Sequence, residues 1–116
     1  MPAIRAKNFV AKKNDNIKEI ERQEKRKNRL TSIKNEIESG RMTNFKQLFA
    51  IMSETTISAE MEISFYTFRR KVVDPGEFTI NEVMRFAALL GLKYDVMADW
   101  IRDRIKEKTK SRIFRA

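Results

Sequence analysis

The sequence has no cysteine and no histidine, only two prolines and three glycines, and no apolar run longer than five residues, such as Phe86 to Leu90. Each shortage excludes something. Without cysteine there is neither a disulfide nor a thiolate metal site. Without histidine the commonest zinc ligand and the commonest neutral-pH general base are missing, so Ser/His/Asp and Cys/His nucleophile chemistry cannot be built. Three isolated glycines leave no Gly-rich loop to cradle a phosphate. Five apolar residues fall far short of the roughly 20 that span a bilayer, and Met1 to Lys7 lack the apolar stretch of a signal peptide. The expectation is a non-enzymatic chain with no catalytic residues, no cofactor, no metal and no membrane partner.

What is present is charge. Hydrophobic residues make up 41 % and charged residues 35 % of 116 residues, a balance that predicts one folded domain with solvated extensions. The net charge of +9 favours a polyanionic partner, most often nucleic acid. Its distribution matters more than its size. Residues 1–43 hold 12 Lys/Arg against 6 Asp/Glu, residues 44–92 hold 5 against 6, and residues 93–116 hold 8 against 4. The middle is nearly neutral, and the flanks supply the positive field.

The spacing of apolar residues predicts an all-α chain: a basic flexible arm over 1–15, a charged helix over 16–40, a bundle of about five short helices over 43–106, and a basic tail over 107–116. In the charged helix, Ile17 and Ile20 lie at one end and Leu30, Ile33 and Ile37 at the other. The stretch Glu21 to Arg29 between them has no apolar residue, so a long coiled coil is not expected. The second half should pack on the domain while the first half projects. Asn44 with Gln47 and Thr79 with Glu82 read as capping boxes. Ser53 to Thr56 reads as a break before a short helix from Ile57. Ser64 reads as the N-cap of a helix over Phe65 to Val72. Asp74-Pro75-Gly76 reads as a turn in which glycine supplies a positive φ. Ile80, Val83, Met84, Ala87 and Leu90 form an apolar stripe that Gly91 ends. Asp95 is a candidate cap for a last helix that buries Val96, Met97, Trp100, Ile101 and Ile105.

Ile57-Ser58-Ala59-Glu60-Met61-Glu62-Ile63-Ser64, the helix Phe65 to Val72 after it, and Phe78 to Leu92 together resemble the lambda-repressor-like (XRE-type) helix-turn-helix domain of small bacterial and phage regulators. Ser58 replaces the family's small alanine, and Glu62 stands where a turn glycine is usual. The resemblance implies a left-handed backbone at Glu62, at about 1 kcal/mol. It also implies that Phe65–Val72 is a recognition helix, with Tyr66, Thr67, Arg69 and Arg70 at base-facing positions, in a transcriptional regulator that works as a homodimer. The helix over 16–39 and the helix over Val96–Ile105 are the candidate dimer interfaces.

Independently of any family, the nine residues 64–72 span about 13 Å as a helix, enough to lie in a major groove roughly 12 Å wide. Phe68 and Val72 should face inward, Tyr66, Thr67, Arg69 and Arg70 outward, with Lys71 at the rim and Ser64 at the start. In the flanks, Lys12, Lys13, Lys25, Arg26, Lys27 and Arg29 and, on the other side, Lys106, Lys108, Lys110, Arg112 and Arg115 are candidate phosphate contacts. The expected partner is double-stranded DNA, and the expected place is the cytoplasm, with the nucleoid, or inside a phage particle. A structural or packaging protein, whose basic arms hold nucleic acid or neighbouring subunits without reading sequence, fits the charge distribution too. A protein-interaction adaptor without nucleic-acid affinity is the third option.

Overall fold

Helix-forming side chains run unbroken by glycine or proline from Ala3 to Ser39, and the first helix follows them throughout. The computed structural model describes the backbone of residues 2–115 and the side chains of residues 16–107. The elements are α1 (Pro2–Glu38), α2 (Phe45–Ile51), α3 (Glu54–Glu60), α4 (Phe65–Val73), a 3-10 turn (Pro75–Glu77), α5 (Ile80–Leu90) and α6 (Tyr94–Arg115). The protein is all-α, with no strand among the described residues.

The arm expected over 1–15 is instead the beginning of α1, which has 37 residues and is about 55 Å long. Once the packed second half supplies a nucleus, nothing in the first half stops propagation. The same reasoning carries α6 nine residues past Lys106, where a tail was expected. Among the described residues of α1, Leu30, Ile33 and Ile37 are buried, whereas Ile17 and Ile20 are exposed.

Three helices end in the same way. After α1, α3 and α5, one residue turns left-handed, at Gly40 (φ 77°), Glu62 (φ 58°) and Gly91 (φ 71°). Its N–H and that of the next residue return to carbonyls inside the helix: Gly40 to Ile37 and Arg41 to Glu36, Glu62 to Ala59 and Ile63 to Ser58, Gly91 to Ala88 and Leu92 to Ala87. This double return satisfies the last carbonyls of a helix and normally calls for glycine. Glu62 does the job against its backbone preference, so the left-handed turn expected there is present. Ser58 is buried but satisfied, its hydroxyl donating to the Thr55 carbonyl at 2.9 Å.

Helix starts follow the expected capping residues with three adjustments. The Asn44 side chain accepts from Gln47 N at 2.8 Å, but the Gln47 amide oxygen accepts from Thr43 N at 2.7 Å, one residue before the position a capping box uses. Ser53 to Thr56 starts α3 rather than merely breaking α2, because Ser53 Oγ accepts from Thr56 N at 3.2 Å. α6 begins at Tyr94, with Val96 and Met97 N–H donating to the Lys93 carbonyl, so Asp95 sits in the first turn and is not the cap. Gly76 lies in the 3-10 turn without a positive φ, since Pro75 and a Glu77 N–H to Asp74 carbonyl bond already close it.

The core is built from Ile33, Leu48, Ile57, Phe68, Phe86 and Met97, all fully buried. Phe68 meets Phe49, Phe78 and Phe86 with ring centroids 6.0 to 6.2 Å apart. Trp100 stands edge-on to Phe45 at 5.0 Å and donates its Nε1–H to the Met42 carbonyl at 2.8 Å, joining α6 to the α1–α2 link. Ile80 and Met84, expected inside, are 69 % and 53 % exposed. Phe86 takes the inward position, so the buried arc of α5 is Val83, Phe86, Ala87 and Leu90.

Candidate nucleic-acid interface

α4 has nine residues and is set between the turn at Glu62 and the 3-10 turn. Ser64 caps it: its Oγ accepts from Thr67 N at 3.3 Å and donates to Thr67 Oγ1 at 2.8 Å. The hydroxyls of Ser64 and Thr67 therefore spend their local bonds on starting the helix. The outward face carries Tyr66, 84 % exposed, with Arg69 and Arg70 three and four residues on, both exposed. Thr67 is half-buried beside them.

Each arginine has one light restraint. The Arg69 guanidinium lies 5.9 Å from the centroid of the Phe65 ring, which also stands edge-on to Tyr66 at 5.8 Å. Arg70 Nε lies 3.4 Å from a Glu77 carboxylate oxygen, an ion pair with both side chains largely in solvent. Among the described residues nothing covers either guanidinium, and exposed pairs of this kind hold with less than about 1 kcal/mol.

Lys71 does not sit at the rim. It lies three residues after Phe68 on the inward arc, is buried, and its ammonium is gripped by both oxygens of Glu82. A buried lysine needs a counter-charge, and Glu82 has one to give because it is fixed as the N3 residue of the α5 capping box, accepting from Thr79 N at 2.8 Å. Burial pushes the Glu82 carboxyl up, but Lys71 and the Thr79 N–H and hydroxyl outweigh it and hold it below the ordinary range. This pair ties α4 to the start of α5 and takes Lys71 out of the candidate contacts. Sequence spacing pointed to the inward turn, through Phe68 at i−3, but its charge argued for the surface.

The flank candidates divide similarly. Lys25 is exposed on α1. Arg26 makes two bonds to the Glu60 carboxylate, at 2.8 and 2.5 Å, and so clamps α1 onto α3. Those bonds hold the Glu60 carboxyl below its usual range against the opposing effect of burial. The side chains of Lys12 and Lys13, and those after Glu107, lie outside the described residues. Beside α4, an open groove is lined by Phe45, Phe49 and Ala50 of α2, Val72 and Val73 of α4, and the charged groups of Lys46, Glu54 and Arg69; no local pattern of residues marks it. Among the described residues no three acidic side chains gather as a metal site would need, and no helix is long and apolar enough to cross a membrane.

Comparison with protein-family models, with curated proteins and with solved structures returned no match.

Proposed function

We propose that the protein is a non-catalytic, sequence-specific DNA-binding protein, a transcriptional regulator of the helix-turn-helix type, with α4 as the element that enters the major groove. The observation that carries this reading is the outward arc of α4. It holds Tyr66, Arg69 and Arg70, exposed, on a helix whose opposite arc is pinned by Phe68 and the Lys71–Glu82 pair. Arginine is the commonest reader of guanine O6 and N7, and a rigid mount is what such readout requires. Thr67 flanks the arc, and its O–H, which the Ser64 cap does not use as a donor, suits a phosphate contact. α1 and α6 are the candidate dimer surfaces in this reading.

The near-neutral stretch 44–92 favours a second reading, a packaging or nucleoprotein component that holds nucleic acid through its flanks alone. Selection from random duplex DNA at about 150 mM salt separates the two. A regulator enriches a motif that the double variant Arg69→Ala/Arg70→Ala fails to enrich. Failure of the wild type to enrich any motif, with binding that survives the double variant, favours packaging.

A further inference from the structure

α1 carries a second charged surface. Lys18, Arg22, Lys25 and Arg29 recur at spacings of four, three and four, which places them on one line along the helix. All four are exposed. Arg22 lies 3.6 Å from Glu19 with both side chains more than half in solvent, and Lys18, Lys25 and Arg29 have no acidic partner within 4.0 Å among the described residues. At 3.6 residues per turn the line is rotated about 80° from the domain-facing residues Arg26, Leu30, Ile33 and Ile37. Two cations that composition alone would group with it are therefore excluded. Arg26 faces the domain and is held by Glu60, and Lys27 falls on nearly the opposite side. Continued toward the domain, the same line reaches Ser32 and Glu36, which share a crevice with Gln47 and Ile51 of α2.

We propose that Lys18, Arg22, Lys25 and Arg29 form a track for the phosphate backbone of a nucleic-acid duplex, gripping it without reading sequence. The proposal takes its ligand from the nucleic-acid reading above but does not depend on α4 entering a groove. Eleven residues of rise cover about 16 Å, and one DNA strand carries a charge about every 3.4 Å, so the track faces about five phosphates with four cations. An anionic membrane fits less well. A helix lying in a membrane interface needs an apolar face flanked by its cations. Here Ile17 and Ile20 are turned more than about 100° from the track, with Glu21 and Glu24 interleaved between them.

The test is the salt dependence of full-length protein binding to a random-sequence duplex. Changing Lys18, Arg22, Lys25 and Arg29 together to glutamine, a good helix former, should lower the slope of log affinity against log salt by about 3 to 4, at about 0.9 per phosphate. The pair Lys18→Gln/Lys25→Gln should lower it by about 2. A charge-matched control, Lys27→Gln/Lys34→Gln/Lys93→Gln/Arg102→Gln, should leave the slope within about one of the wild type, with helicity by circular dichroism matching in all variants. Equal slopes for the track variant and the control overturn the proposal, whatever α4 does. So does track-dependent binding to phosphatidylserine vesicles without binding to DNA. A wild type that shows no sequence preference yet loses slope with the track variant overturns the α4 reading and supports the track.

Discussion

The Lys71–Glu82 pair offers the sharpest test of how α4 is held. Glu82→Gln keeps the size of the side chain and an oxygen able to accept from Thr79 N, so it removes the charge and little else. The two side chains are only 11 % and 14 % exposed, and the variant strands an ammonium with almost no access to water. Losing one member of such a pair costs about 2–4 kcal/mol, a large share of the 5–15 kcal/mol typical of a domain and about 10–20 °C in melting temperature. Lys71→Met in the Glu82→Gln background should recover at least half of the loss, because the uncompensated charge and not the missing contact dominates. The assay is urea unfolding followed by far-UV circular dichroism and by fluorescence of Trp100, the one tryptophan and a buried one. Coincident transitions license the free energies. Because the Glu82 carboxyl is held below its ordinary value, its ionised form supports the fold. That support is complete above the unfolded value near about 4.3 and fades as pH falls through the lower folded value. The gap between wild type and Glu82→Gln should therefore narrow only below about pH 4. Glu60 acts in the same direction but less, since Arg26 is 39 % exposed. A Glu82→Gln cost under about 0.5 kcal/mol, or no rescue by Lys71→Met, would refute this account of the pair.

Three further outcomes follow from the backbone. Glu62→Gly should stabilise the protein by about 0.5–1 kcal/mol in the same urea assay, because it relieves a left-handed φ at the end of α3. Gly91→Ala should cost about 1 kcal/mol for the converse reason, although its new Cβ would meet Lys34 Cδ at an ordinary 3.8 Å. Gly76→Ala, with no positive φ and Asp74 Oδ1 at 3.8 Å, should be neutral or slightly stabilising.

Much of this architecture was legible in the residues, and the exceptions have identifiable causes. The caps at Ser64 and Thr79, the stop at Gly91 and the outward arc of Tyr66, Arg69 and Arg70 depend on local chemistry that needs no knowledge of the rest of the chain. Spacing also separated the buried Leu30, Ile33 and Ile37 of α1 from the exposed Ile17 and Ile20. Residue pattern alone misleads where a tertiary partner decides. Ile80 and Met84 fit a helical period as well as Phe86 does, and only the ring cluster around Phe68 selects between the two arcs. Lys71 carries a charge that propensity assigns to solvent, and its burial depends on a carboxylate eleven residues away. The helical backbone of residues 2–15 and beyond Lys106 has no apolar signature, since it is continued from packed neighbours rather than specified on its own. For the candidate interface, residue type named the arginines but could not show that Arg26 is already engaged by Glu60.

The bond between the Trp100 indole and the Met42 carbonyl has a bearing on biosynthesis. The link that follows α1 is closed by a residue 58 positions later, and Phe86 and Met97 complete the same core. On the ribosome, Leu30, Ile33, Ile37 and Phe45 emerge long before the surfaces that will cover them. The nascent chain must therefore wait, with sticky side chains bare, until Phe86, Met97 and Trp100 have been translated. The dense charge of its first forty residues suits that interval, since like-charged, well-hydrated segments resist coalescing with one another.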